Sequence, residues 1–173
     1  VGDYGGGAMF LAFGVVCALL SAQRDGRGQV VDAAMVDGSA TLMTMFWSFM
    51  QNGSWNERAP GTNLIDTGAH FYDVYECSDG KYVSIGSIEP QFYAELLRTL
   101  ELTDDPDFAQ QMDRRRWPEL KARLAPIFRT KTQAEWCALM EHTDICFAPV
   151  LTMSEAAAHP HNVARATFVT IDG

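Results

Sequence analysis

Two carboxylates and a tyrosine sit where their neighbours would let them do chemistry. Asp3 stands just before the glycine run Gly5 to Gly7, which leads into a long apolar stretch. The backbones of Asp3 and of Gly5 to Gly7 are expected to present free N–H groups at a helix start, which favour negative charge, and glycines let a ligand approach closely. A carboxyl group there can remove a proton next to a carbonyl while backbone N–H groups hold the enolate oxygen. An N-cap role suits the same aspartate and is its commoner use. Glu89, in SIEPQFY, marks a strand-to-helix transition, where a rigid edge often presents a functional side chain. Charge complementing the helix dipole is the alternative there. His70 and Tyr72, in GAHFYD, open a hairpin, and a tyrosine so placed packs half-buried more often than it meets a substrate.

The other candidates are weaker. His142, His159 and His161 show no metal-ligand spacing, and Cys17, Cys77, Cys137 and Cys146 form no CxxC pattern. The cysteines are expected to be free thiols in a reducing compartment, and a metal site is not expected. Met35, Met43, Met45 and Met50 thread an aromatic helix, where a core stripe is the default and an adaptable apolar binding surface the alternative. The run Arg114 to Arg116 suits either a phosphate contact or a solvated helix start. A net charge of −9 over 173 residues argues against a general nucleic-acid binder.

These residues need elements to hold them. Residues 8–23 predict a helix ended by RDGRG, residues 28–38 a short strand, and residues 39–51 a second helix. The first helix, nearly free of charge, is expected to be a buried core helix and not a membrane span. Its length is marginal against the ~20 residues a bilayer requires, and Asp3 stands where a signal peptide would be basic. After a mixed, proline-containing connector, two alternating runs flank Asp79-Gly80 and predict a hairpin. Helices follow over 89–100, 116–128 and 132–142, with a strand at 146–151, a helix over 154–166 broken at Pro160, and a strand at 167–171.

Taken together, GDYGGG (2–7), GRGQVVDAAMVDG (26–38), GTNLIDTGAHFYDVYECSDGKYVSIGSIEPQFY (61–93), RRRWPELKA (114–122) and APVLTMSEAAAHPHNVARATFV (148–169) resemble the family III CoA-transferases (CaiB/BaiF), from end to end of the chain. The resemblance implies an α/β, two-domain fold. Residues 1–54 would be a helix-strand-helix part of the large domain, 55–67 an interdomain linker, and 68–173 the small α/β domain. It implies a homodimer of interlocked chains and an isomerase of acyl-CoA and fatty-acid metabolism. The racemase branch inverts the carbon α to an acyl-CoA thioester through an enolate. Asp3 would be one acid/base group and a histidine from an earlier segment the other, with Glu89 supporting that histidine. Tyr72 and Gly5, Gly6 and Gly7 would contact the substrate. No cofactor is implied, since CoA arrives as part of the substrate.

Two alternatives accompany this expectation. A CoA-transferase of the family would use the aspartate to form an acyl anhydride. The triple glycine and Glu89 favour the racemase branch. A non-catalytic association module, built on the apolar first helices, belongs to another class. Because Val1 is no natural start and the family's histidine has no match here, the chain is expected to be the middle of a longer enzyme, with little activity alone. Localisation would be cytoplasmic in a bacterium and peroxisomal or mitochondrial in a eukaryote.

Overall fold

The structure is a computed structural model and describes residues 1–171. It divides into two compact units, Val1–Arg58 and Ala59–Gly173, a division that falls within the stretch read as the linker.

The first unit is helical. A π-helical turn, Gly2–Ala8, runs directly into α1, Met9–Asp25. Gly26 ends α1 in the left-handed region at φ 71°, its N–H bonded to Ala22 O at 2.9 Å. Residues 28–34 are irregular, and α2 (Met35–Leu42) and α3 (Thr44–Gln51) follow. The expected strand at 28–38 is absent: residues 28–34 are irregular and residues 35–38 open α2. Its alternating residues have no strand to pair with, because all three strands of the described residues lie in the second unit. The expectation of a buried first helix is also corrected. No residue of α1 is buried, and Phe13 is 72% exposed. Three helices without a second layer leave that face uncovered. Gly2–Asp25 is long and apolar enough to cross a membrane by length and composition alone. Met43, Met45 and Met50 are likewise exposed, which removes the core-stripe reading.

Contact in this unit centres on glycine. A Cβ added to Gly38 would come within 1.8 Å of Gly6 O, and one on Gly6 within 2.5 Å of Ser39 Oγ. The π-helical turn therefore seats on α2 backbone to backbone, which larger side chains would forbid.

The second unit carries the core. β1 (Tyr72–Glu76) and β2 (Tyr82–Gly86) form the expected hairpin, with Gly80 at φ 74° in the turn and Cys77 N–H bonded to Lys81 O at 2.8 Å. β3 (Phe147–Val150) adds antiparallel to β2, giving the order β1-β2-β3. Between them run α4 (Pro90–Thr99), a 3₁₀ turn at Pro106–Ala109, α5 (Trp117–Phe128) and α6 (Gln133–Met140). Pro90 and Pro118 occupy first turns, where no N–H is needed. Thr132 and Glu135 close a capping box on α6. Alternation along β1 and β2 turns Tyr75, Val83 and Ile85 onto a core that includes Phe71, Leu96, Trp117, Leu124, Phe128 and Trp136. Pro160 separates α7 (Met153–Ala158) from α8 (Pro160–Ala164), as expected. The expected strand at 167–171 does not form: Val169 is exposed and no strand pairs with it.

Candidate active site

Asp3 lies in the first turn of the π-helical segment and is exposed to solvent. The N-cap is Val1 and no side chain caps the turn, so Asp3 is not the cap that its type and place suggested. The N–H groups of Gly5 and Gly6 both donate to Val1 O, at 2.8 and 3.1 Å. This corrects the expectation that those two glycines offer free donors; the unpaired first-turn N–H positions are those of Gly2, Asp3 and Tyr4. Gly6 and Gly7 are buried, and a Cβ on Gly7 would meet the Met35 side chain at 2.9 Å. In this structure the glycines bring the turn down onto α2, and that contact holds Asp3 at a fixed helix entrance. Single π turns within α-helices recur at functional sites.

Glu89 immediately precedes α4 in extended conformation (φ −69°, ψ 142°), as a residue before proline should be. Its side chain makes no capping bond and is exposed at the N-terminus of α4, where its charge still complements the helix dipole. The backbone leading to it is tied down throughout. Ser87 N–H donates to Phe71 O at 3.0 Å, and buried Ser87 Oγ donates to Ile145 O at 2.5 Å. Gln111 Nε2 donates to both Ser87 O and Ile88 O at 2.9 Å, and Tyr93 N–H to Glu89 O at 3.0 Å. Among the described residues the Glu89 carboxylate has no hydrogen-bond or ion-pair partner, and its rigid strap leaves it exposed.

Tyr72 is half-buried opposite Gly86 in the β1–β2 register, its ring 3.5 Å from where a Gly86 Cβ would stand. Both residues line a cavity of about 250 Å³ with Thr67, Asp73, Ser84 and Cys146. Burial, then the negative charges of Glu89 and Asp144, push the Cys146 thiol above its ordinary pKa. Tyr72 and Cys146 thus share one cavity, and the charge of Glu89 reaches Cys146. Sequence reasoning missed Thr67 and Cys146. Among the described residues four non-glycines have positive φ, and two of them, Thr67 at 73° and Cys146 at 60°, line this cavity. Only the Asx clamp had a visible cue: Asp66 accepts from Gly61 N–H (3.0 Å), Asn63 N–H (2.7 Å) and Asn63 Nδ2 (2.7 Å), winding the loop that ends in Thr67.

His70 is fully buried. Tyr93 Oη donates to Phe108 O at 3.1 Å, so it accepts from His70 Nε2–H at 2.8 Å, and Nδ1 is left buried without a partner. Burial, with the Lys121 charge adding, pushes the His70 pKa down to about 4. It is a neutral core residue. The arginine run also resolves: Arg115 pairs with Asp113 at 2.9 Å, Arg116 with Asp107 at 2.8 Å, and Arg114 lies over the Trp117 ring. Those contacts favour the helix-start reading over a phosphate site. No group of three His, Cys, Asp or Glu side chains suited to a metal occurs among the described residues.

The sequence profile of CoA-transferase family III matches residues 1–173. The chain is 45% identical to alpha-methylacyl-CoA racemase of Mus musculus over 168 residues, covering 97% of this chain and 44% of that protein. It is 42% identical to the Homo sapiens alpha-methylacyl-CoA racemase over the same shares. It therefore spans less than half the length of the curated relatives it matches. A crystal structure of Rv3272 from Mycobacterium tuberculosis superposes with a TM-score of 0.70 at 24% identity, covering 90% of this chain and 40% of that one, and shares the fold.

Proposed function

Since the chain belongs to CoA-transferase family III, we propose that the whole protein is an α-methylacyl-CoA racemase. The reaction removes the proton on the carbon α to the thioester, passes through a planar enolate, and returns a proton on either face. Inversion needs two acid/base groups on opposite faces. Asp3 is one, acting as carboxylate toward one enantiomer and as carboxylic acid toward the enolate made from the other. The N–H groups of the first turn are donors for the developing oxyanion. Glu89 positions the second acid/base group, a histidine that the family supplies from an earlier segment. No cofactor takes part. The protein works as a homodimer of interlocked chains in the metabolism of branched fatty acyl-CoA, in the cytoplasm of a bacterium or the peroxisome or mitochondrion of a eukaryote.

The observation that carries this reading is the glycine-seated turn holding an exposed, uncapped Asp3, within a chain 45% identical to a racemase. Its test is to incubate the whole protein with a single enantiomer of a 2-methylacyl-CoA in D₂O. Epimerisation with deuterium appearing at C2 is expected. Transfer of CoA to an added carboxylate without exchange at C2 would make the protein a transferase acting through an aspartyl anhydride.

A further inference from the structure

The strap between β2 and α4 carries Glu89 without belonging to either element. It bends at once: Ile88 N–H bonds back to Gly86 O at 2.9 Å, a three-residue turn centred on Ser87. Pro90 follows Glu89, so no N–H at that position ties the strap to its surroundings. Ser87 N–H and Oγ anchor the near end, and Glu89 O accepts from Tyr93 N–H at 3.0 Å at the far end. Between those anchors the carbonyls of Ser87 and Ile88 converge on one nitrogen. Gln111 Nε2 lies 2.9 Å from each oxygen, which engages both of its N–H groups.

That nitrogen comes from another part of the chain. Gln111 stands half-buried in the turn between the 3₁₀ segment and α5. It is fastened in its turn, because its backbone carbonyl accepts from Nε1–H of buried Trp117 at 2.8 Å. The Ile88 carbonyl and the Glu89 N–H share one peptide plane. Holding that oxygen fixes the plane from which the Glu89 side chain departs. Without the carboxamide, two carbonyls lose this donor and the plane can turn, carrying the carboxylate with it.

We infer that Gln111 is a positioning residue: its carboxamide clamps the strap and so aims Glu89 at the second acid/base group. The inference rests on the racemase reading and adds the residue that sets the direction of Glu89. Gln111→Met keeps the side-chain length and removes both donors, and tests the inference in the whole protein beside Glu89→Gln. Each enantiomer of a 2-methylacyl-CoA is incubated in D₂O, and deuterium entry at C2 is timed. Gln111→Met is expected to slow entry from the enantiomer facing the Glu89-supported group by ~10–100-fold, the scale of a small misplacement. Entry from the enantiomer facing Asp3 should stay within about twofold, and Glu89→Gln should show the same one-sided loss. Equal losses from both enantiomers, or native rates from both, overturn the inference.

Gln111→Glu covers a methionine variant that fails to fold. Its carboxylate has no donor at pH 8, so the one-sided loss is expected there and should shrink toward pH 5 as an O–H donor returns. A rate ratio equal to the native one at pH 8 overturns the inference. Amide exchange at Tyr93, read without substrate, separates the failures. It should quicken about tenfold in Gln111→Met while Leu100, bonded to Leu96 O, stays unchanged; an unchanged Tyr93 rate removes the clamp whatever the activity shows. A quickened Tyr93 amide in a protein that never exchanges C2 removes the racemase reading alone. One-sided loss in Glu89→Gln but not in Gln111→Met removes this inference alone.

Discussion

Acid should weaken the second unit through His70, and the size of the effect follows from its surroundings. The imidazole is 0% exposed, bonded through Nε2–H to Tyr93, with Lys121 contributing like charge. Its pKa falls from an ordinary 6.5 to about 4, so the unfolded chain binds the proton more readily than the folded one. A group depressed in this way contributes stability above the unfolded pKa and loses it as pH falls through the folded one. The window therefore runs from 6.5 down to about 4. A fall from 6.5 to about 4 corresponds to about 3 kcal/mol at ~1.36 kcal/mol for each tenfold change in proton affinity. Carboxylates such as Asp66, whose backbone and Asn63 bonds hold its pKa below the ordinary value, titrate nearby, so the measurement must be a difference. His70→Gln keeps a donor toward Tyr93 and cannot titrate. Urea unfolding followed by tryptophan fluorescence, to which buried Trp117 and Trp136 of this unit contribute, from pH 7.5 to 4 should show the native protein losing about 3 kcal/mol relative to the variant. Parallel curves for the two proteins would refute the argument.

Three further outcomes follow from packing. Gly38→Ala forces a methyl to within 1.8 Å of Gly6 O, and should destabilise the first unit by about 3 kcal/mol or more, seen as lost amide-exchange protection at Gly6 and Gly7. Ser87→Ala leaves the buried Ile145 carbonyl without its side-chain donor, and should cost about 1–2 kcal/mol in thermal unfolding while lowering kcat through a looser Glu89 strap. Cys146→Gly removes left-handed strain from a side-chain-bearing residue and should stabilise the second unit by about 0.5–1 kcal/mol in urea unfolding.

The parts of the fold legible in the sequence were those set by local chemistry. Asp79-Gly80 between alternating runs specified the hairpin, Pro90 the start of α4, and Thr132 with Glu135 the start of α6. Residues 28–38 and 167–171 read as strands, but no strand lies beside them in the sheet, and a strand exists only by pairing. The exposure of α1 was equally hidden, because apolar composition states what a helix would bury and not whether a second layer covers it. At the site, Asp3, Glu89 and Tyr72 were legible as candidates from residue type and place in the chain. Thr67 and Cys146 were invisible because their distinguishing feature is a backbone angle that neither residue type advertises. The glycine run was noticed for the right reason, close approach, but the approaching group is α2.

The central claim is that Asp3 moves the α-proton. Asp3→Asn in the whole protein, assayed in D₂O with each enantiomer of a 2-methylacyl-CoA, tests it most directly. The expected result is a loss of racemisation of about 10²–10⁴-fold, with deuterium still entering C2 from the enantiomer that faces the other acid/base group. Racemisation within twofold of the native rate would contradict the account.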